Sequence, residues 1–542
     1  INIITKEPLR NSGQLSHTIT SLGGSSSFDN NTSLNASLVT DDHRAGLYIF
    51  GQNRYRSGYD YDGDGFTELP KLKNQTVGFR SYLKTSTYSK LTFEYHHMQE
   101  FRRGGDMLNR PPHEAHIAEQ LQHSIDGGSL KFDYFSPDEK NRLSVFASAA
   151  NTDRDSYYGP GNDPLKAYGK TTDLTAMGGA QYVHTFDKCF FMPSDLTAGL
   201  EYNRDRLKDN MWGYNRHTDQ TVNIYSAFLQ NEWKNDRWGI LIGGRLDKHN
   251  MVDNVIFSPR ANLRFNPTQN INLRLSYSSG FRAPQAFDED MHIENVGGTV
   301  AMIERAKDLK EEKSQSFSVS ADMYHRFGAF QTNLLIEGFY TRLTDVFVLG
   351  KPYDRGDGIL VKTRSNGPGA KVMGLTLEGK VAYLSILQIQ AGLTLQRSRY
   401  DEPHKWHDDA PAEKKIFRTP DTYGYFTATC TPIKPLSIAL SGTYTGRMLV
   451  QRMDITAENA ELGKMPERKA EAIRTPRFFD LGVKLAYDFK LYKTVDLQLN
   501  GGVQNIFKSY QKDFDRGANR DSGYIYGPSL PRSFFAGVKI SY

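Results

Sequence analysis

The sequence predicts an all-β fold, an antiparallel transmembrane β-barrel of about 22 strands. Three observations carry that expectation. Apolar and polar residues alternate at period two in many segments, and short polar turns alternate with long irregular loops. No segment approaches the roughly 18 consecutive apolar residues that a membrane helix needs, the longest runs being pieces like GILIGG. A barrel strand needs only every second residue to be apolar, so it escapes a hydropathy average.

The strands justify the class one by one. RANLRFN (260–266) sets Ala261, Leu263 and Phe265 against Arg260, Asn262, Arg264 and Asn266. INLRLSYS (271–278) sends Ile271, Leu273, Leu275 and Tyr277 to one face, and its Asn, Arg and Ser residues to the other. LQIQAGLTLQ (387–396) opposes Leu387, Ile389, Ala391, Leu393 and Leu395 to Gln388, Gln390, Thr394 and Gln396, and VDLQLNGGV (495–503) repeats the scheme. In SFFAGVKISY (533–542), Phe534, Ala536, Val538, Ile540 and Tyr542 share a face. One apolar face and one Arg, Asn and Gln face suit lipid outside and a wet lumen inside. The last strand is expected to pair with the first, because a sheet edge cannot stay unpaired in lipid.

The turns sort in the same way. Short connections fall at Asp41–His43, Ser136–Asn141, Asn235–Arg237, Asn266–Asn270 and Thr431–Pro435, and long loops at 285–315, 401–417, 454–475 and 508–530. Alternation places all long loops at one end, the pattern of short periplasmic turns and extended external loops. A barrel of this size encloses a lumen wide enough to be normally plugged.

Composition agrees. The 542 residues are only 38% hydrophobic, yet include 30 Tyr, 31 Phe and 47 Gly, residues that suit strands and membrane interfaces. With 67 basic and 62 acidic residues the net charge of +5 is too balanced to indicate nucleic acid. Cys189 and Cys430 both fall on the short-turn rim, where an oxidising compartment would permit a disulfide, but they are about ten strands apart and a bridge needs Cα atoms about 6 Å apart. No GxSxG elbow or convincing Ser and His pair supports an enzyme.

YDYDGDGFTELP (59–70) is the sharpest local motif. Asp60, Asp62 and Asp64 at alternate positions, then Gly65 and Glu68, match the early part of a calcium loop. An EF-hand is excluded because its twelfth position is Lys71 rather than Glu. Two readings stand: a looser calcium site completed from another loop, or a solvated acidic loop. Among loop aromatics, Trp212 and Tyr214 in MWGYNRH and Trp406 between two histidines offer flat apolar surface to a large ring system or to a partner.

INIITK (1–6), GFRAP (280–284), MGLTLEG (373–379), and GGVQNIFKSY (501–510) followed by SFFAGVKISY together resemble the TonB-dependent outer-membrane transporters, over nearly the whole chain. The resemblance implies a plugged barrel in the outer membrane of a Gram-negative bacterium, importing a scarce bulky nutrient with energy drawn through the TonB complex. On it, residues 1–8 are the remnant of the end of a plug domain, residues 9–542 are the barrel, and the plug domain itself is absent from this chain. A passive plug-less pore is the alternative of another class.

The cobalamin transporters of the family carry a comparable Asp-rich loop that binds calcium, which points to Asp60, Asp62, Asp64 and Glu68 as metal ligands and to a corrinoid (vitamin B12) as substrate. Haem or ferric-siderophore import is the alternative: His292 lies downstream of the FRAP box as in haem transporters, with His113 and His116 in a further loop, although VGG stands where NPNL is expected. Arg282 of the FRAP box, Trp212, Tyr214, His292 and Trp406 are the candidate substrate contacts. The long loops also offer docking surface to a surface lipoprotein.

Overall fold

The computed structural model of the chain describes residues 6–160, 167–296, 299–455, 468–518 and 520–542. Of the segment expected as a plug remnant, Ile1–Thr5 lie outside the described residues. Glu7 pairs with Lys90 at 3.0 Å and Pro8 is buried.

Twenty-two antiparallel strands, from Ser12–Ser21 to Ser533–Ser541, each pair with the next in sequence and close into a barrel. A short extra strand, Glu413–Lys415, only flanks Leu387–His404. At the seam Leu15 lies opposite Ile540 and Ile19 opposite Ala536. The Gly13 amide donates to the Tyr542 carbonyl at 3.0 Å, and the Tyr542 amide returns the bond at 2.8 Å. Closure through the terminal strand is therefore as the alternation requires.

The two faces are those expected. Leu273, Ile389 and Val538 are 38%, 40% and 37% exposed, on the apolar side of their strands. Arg282 sits on the other side of strand Ile271–Arg282 and meets Glu289 of a loop folded over the barrel mouth, which identifies the polar side as the lumen. Polar residues bond across the lumen wall, as with the Thr376 and Thr394 hydroxyls at 3.0 Å. In the MGLTLEG segment, the ring of Phe339 covers Gly374, where a Cβ would come within 2.6 Å of it. That close approach explains a glycine inside a strand.

Short turns and long loops segregate to opposite ends, and Cys189 and Cys430 are both free. Strands between Lys71 and Lys234 run to 16–22 residues, well beyond the 9–11 or so that cross a bilayer, and raise a tall wall outside the membrane.

The loops depart from the expected irregularity. Segments Glu294–Val296, Thr299–Arg305, Phe347–Leu349, Tyr353–Asp354 and Leu360–Asn366 form a separate five-stranded sheet inside the mouth. Its central pairing, Ala301 with Leu360 through Arg305 with Arg364, is parallel. Leu449–Ile455 and Arg468–Arg474 pair antiparallel and overlap both ends of the region expected as loop 454–475. These strands are short, and the central pairing of the inner sheet joins segments far apart in sequence, so no local alternation announces them.

If hydrocarbon lies against the apolar face, Leu377→Arg should cost about 2–4 kcal/mol, because Leu377 lies near mid-height on that face. Gln390→Arg, on the lumen face, should cost less than about 1 kcal/mol. Urea titration of the folded barrel, followed by its heat-modifiable gel mobility, measures both.

Candidate functional site

The mouth of the barrel is built by two loops that meet far from each other in sequence. Loop 57–70 is closed at its neck by paired backbone bonds between Tyr59 and Leu69, at 2.9 and 3.2 Å. Within it Gly63 and Gly65 adopt left-handed φ of 75° and 90°, which lets their amides turn inward onto Asp60 at 2.7 and 2.8 Å. Loop 505–532 is stapled at its base by Asn505, the Asn of the GGVQNIF motif. Its side-chain amide donates to the carbonyls of Ser509 and Leu530 at 3.0 and 2.9 Å, and its oxygen accepts the Ser509 amide at 2.8 Å.

At their tips the loops interlock by charge. Arg520 donates to Asp64 at 2.5 Å and to Glu68 at 3.2 Å, and Arg516 lies 3.4 Å from Asp62. The Gly517 amide adds a bond to Asp64 at 2.7 Å. Asp64 is consequently drawn away from the other acids. Asp60, Asp62 and Glu68 remain together, each with one carboxylate oxygen within 4.8 Å of the others.

Environment separates these acids. Burial, and then the charge of Asp64, push the Asp62 carboxyl up, and burial does the same to Glu68. For Asp64, burial opposes ionisation, but the Gly517 and Phe66 amides and the Arg520 guanidinium outweigh it and hold the carboxyl below its usual range. Asp62 Oδ1 is buried with no hydrogen-bond partner among the described residues.

Beside the interlock lies a cavity of about 220 Å³, whose walls include Phe66, Arg102, Tyr158, Phe514, Arg520 and Tyr524. Tyr524 is held by its hydroxyl's bond to Asp513 at 2.7 Å, and burial followed by that carboxylate pushes its phenol up to about 12. Arg520, Phe514 and Tyr524 were not singled out from sequence. The one available signal was Arg516 and Arg520 flanking Gly517 in a long loop, and nothing local connects them with acids over 400 residues away.

The remaining candidates fall into different surroundings. Loop 283–311 is clamped over the mouth by charge: Arg154 bonds Asp288 at 2.8 Å, and Arg364 bonds Asp290 at 2.7 Å and Glu289 at 2.9 Å. Arg282 belongs to this clamp. It bonds Glu289 at 2.5 Å and lies 4.0 Å over the Phe287 ring. Burial resists the charge on Glu289, yet the two arginines hold its carboxyl below its usual range.

Beneath the clamp an apolar core joins Ile293, Val300, Met302 and Ile359 of the inner loops to Tyr157, Tyr158, Met211 and Tyr214 of the wall. Tyr214 is thus a core residue, its hydroxyl donating to the Tyr158 carbonyl at 2.8 Å. Trp212 beside it is 60% exposed. His292 is exposed and edge-on to Tyr158, with ring centroids 5.4 Å apart. Trp406 is buried beside a second cavity of about 250 Å³, with its indole N–H unpartnered among the described residues. The structure therefore brings Asp60, Asp62 and Glu68 together and disperses Trp212, Tyr214, Arg282, His292 and Trp406.

Residues 5–506 match the family described as TonB dependent receptor-like, beta-barrel. No curated protein sequence matches the chain. Among solved structures, the siderophore receptor PirA from Acinetobacter baumannii superimposes with a TM-score of 0.75 at 16% identity, covering 100% of this chain and 82% of that one. A variant of the ferric enterobactin receptor PfeA from Pseudomonas aeruginosa, bound to enterobactin, gives 0.73 at 16% identity, covering 100% and 83%. The ferric-catecholate import receptor Fiu from Escherichia coli gives 0.70 at 14%, covering 100% and 83%. At such identities the likeness is one of fold. The family match is what assigns the chain, which belongs to the TonB-dependent receptors as their β-barrel, an outer-membrane transport protein of a Gram-negative bacterium and not an enzyme.

Proposed function

We propose that this receptor imports a ferric siderophore of the anionic, aromatic catecholate type, in a step energised through the TonB complex. The observation that carries the reading is the likeness, along the whole chain, to receptors named for siderophores and ferric catecholates. The chemistry of the mouth supports it. A cavity walled by Phe66, Phe514 and Tyr524 with Arg102 and Arg520 offers ring faces and guanidinium groups to a flat, negatively charged chelate. At about 220 Å³ that cavity is smaller than the roughly 300–1,000 Å³ of drug-sized ligand sites. Entry of a bulky chelate therefore requires the interlocked loops to part.

The corrinoid expectation loses its support on this reading, because the acidic motif that suggested it speaks to a cation and not to the nutrient. We infer a calcium ion held by Asp60, Asp62 and Glu68, three hard oxygen donors at the spacing a cation of that size bridges. Asp64, expected as a fourth ligand, instead holds Arg520. The docking of TonB itself, through a plug, and of a surface lipoprotein on the long loops belongs to the same proposal.

Uptake by cells expressing the receptor, of a ferric catecholate or haem labelled with radioactive iron or of cobalamin labelled with radioactive cobalt, distinguishes the substrates. The expected outcome is TonB-dependent accumulation of the ferric catecholate. TonB-dependent uptake of cobalamin in its place restores the corrinoid reading, loss of haem uptake in His292→Ala supports the haem reading, and uptake that persists without TonB indicates a passive pore.

The cation site is tested with terbium luminescence on the purified protein. Asp60→Asn combined with Asp62→Asn and Glu68→Gln should abolish binding, while Asp64→Asn should change it less than about threefold, Asp64 being outside the ligand set. Protons compete for the same oxygens. Because the Asp62 and Glu68 carboxyls are raised, affinity should begin to fall at a higher pH than for exposed carboxylates. The cation-free loop has the opposite dependence: a carboxyl raised in the folded state adds stability as pH falls through its raised value.

Arg520→Ala leaves Asp64 and Glu68 buried without their cation and should destabilise the loop pairing by about 3–5 kcal/mol. Faster proteolysis within 505–532, at unchanged barrel heat-stability, is the expected readout.

A further inference from the structure

Loop 505–532 carries a second cluster of oxygen atoms, one that the calcium reading does not use. Its two arms bring Asp513 against Tyr524 and Tyr526, both of them buried. The Tyr524 hydroxyl donates to Asp513 Oδ2 at 2.7 Å, and the Tyr526 hydroxyl donates to Oδ1 of the same carboxylate. The two hydroxyls are also in hydrogen-bond contact with each other. Two phenols and a carboxylate therefore close a triangle of hard oxygen donors, with protons along its edges.

Fastening the loop does not require this triangle. Gln511 already joins the two arms, its side-chain amide donating to the Tyr524 carbonyl at 3.0 Å and its oxygen accepting the Tyr526 amide at 2.9 Å. Both tyrosine rings belong to an apolar cluster with Phe478, whose ring centroid lies 5.9 Å from that of Tyr526. Asp513 is exposed, so the triangle has an open side, and Tyr524 walls the cavity beside the interlock.

Burial, and then the Asp513 carboxylate, push the Tyr524 phenol up to about 12 and raise that of Tyr526 as well. Only a strong Lewis acid displaces such protons. Calcium takes carboxylate, carbonyl and water oxygens, whereas a hard trivalent ion binds the deprotonated ligand and inverts the local order of acidity. Tyrosinate oxygen is a ligand of iron. Two phenolates and one carboxylate carry three negative charges, which a ferric ion balances. The spacing agrees, because adjacent oxygens of an octahedron with bonds of about 2.0 Å stand about 2.8 Å apart. The Arg452 guanidinium, 5.0 Å over the Tyr524 ring, favours its anionic form.

We propose that Asp513, Tyr524 and Tyr526 form a ferric-ion site, one face of an octahedron whose opposite face is left to oxygen donors of the chelator that delivers the metal. On binding, each phenol releases its proton to solvent and forms an iron–oxygen bond in place of one from iron to water or chelator. The oxidation state does not change. The inference rests on the reading of the nutrient as a ferric chelate for the source of the iron.

The test titrates the purified receptor with iron(III) nitrilotriacetate and records its visible spectrum. Phenolate bound to ferric iron absorbs visible light by charge transfer from ligand to metal, a signature that carboxylates alone do not give. The band should saturate at equimolar iron and persist in excess calcium. Tyr524→Phe with Tyr526→Phe should abolish it. Replacing even a residue that only orients a metal ligand typically costs about 10–100-fold in affinity, so Asp513→Asn should weaken binding by at least about tenfold. Tyr510→Phe, which removes a buried phenol of the same loop outside the triangle, should leave the band unchanged.

Absence of the band, its survival in the double Phe variant, or unchanged affinity in Asp513→Asn overturns the proposal. Iron retained without the band is an adventitious ion only, and overturns it too. Tyr524→Phe alone keeps Tyr526 on Asp513 and should weaken the band, which keeps the test decisive if the double variant fails to assemble. The spectrum is independent of transport: uptake of ferric catecholate without a band removes the site alone, and a band without that uptake removes the nutrient reading alone.

Discussion

Every backbone amide and carbonyl that faces hydrocarbon must find its partner within the protein, since lipid supplies none and each unsatisfied group costs several kcal/mol. All else in this molecule follows from that. It makes the sheet close, so that Ser12–Ser21 must accept Ser533–Ser541 in register. It makes the strand number even, and so divides the connections into short turns on one rim and long loops on the other. It also leaves a lumen that side chains of the wall alone do not fill, and the outer loops respond by folding inward.

The inward loops are held by two kinds of force with different consequences. An apolar core joins the inner sheet to the tall wall through Ile293, Met302, Tyr158 and Tyr214, and it fixes position without choosing a partner. The ion pairs around it choose. Arg154 and Arg364 grip Asp288 and Asp290 on opposite sides of one short helical turn, and Arg520 binds loop 505–532 to loop 57–70. Buried pairs such as Arg364 with Asp290 and Arg520 with Asp64 add little net stability, because desolvation offsets their attraction, yet breaking one is costly. They define an arrangement more than they strengthen it.

The wall was legible in sequence because the lipid and lumen environments act on every strand alike, and a repeated two-residue period survives errors in any single boundary. Leu273, Ile389 and Val538 all face as the alternation requires. The inner sheet was not legible: Thr299–Arg305 is short and pairs in parallel with Leu360–Asn366, a contact that depends on two loops meeting. At the site the local part was readable and the distant part was not. Asp60, Asp62 and Glu68 are neighbours in sequence and in space. Asp64 belongs to the same motif, yet Arg520 decides its place, and no local rule links the two. Trp212 and Tyr214 differ for a similar reason, one exposed at a turn and the other drawn into a core assembled from segments far apart in sequence.

The interlock also couples charges of opposite sign. Glu68 touches both the acid cluster and Arg520, and Arg520 lines the cavity. A cation beside Asp60, Asp62 and Glu68 draws on the same carboxylate that partly neutralises Arg520, leaving that guanidinium freer for an anionic ligand. An anion on Arg520 in turn releases Glu68 toward the cation. Linkage requires the two effects to be equal in free energy, whichever ligand arrives first. A mouth closed by ion pairs rather than by apolar packing can therefore be opened by a charged solute that replaces those pairs, while the core around Tyr158 and Met302 keeps the rest of the lid in place.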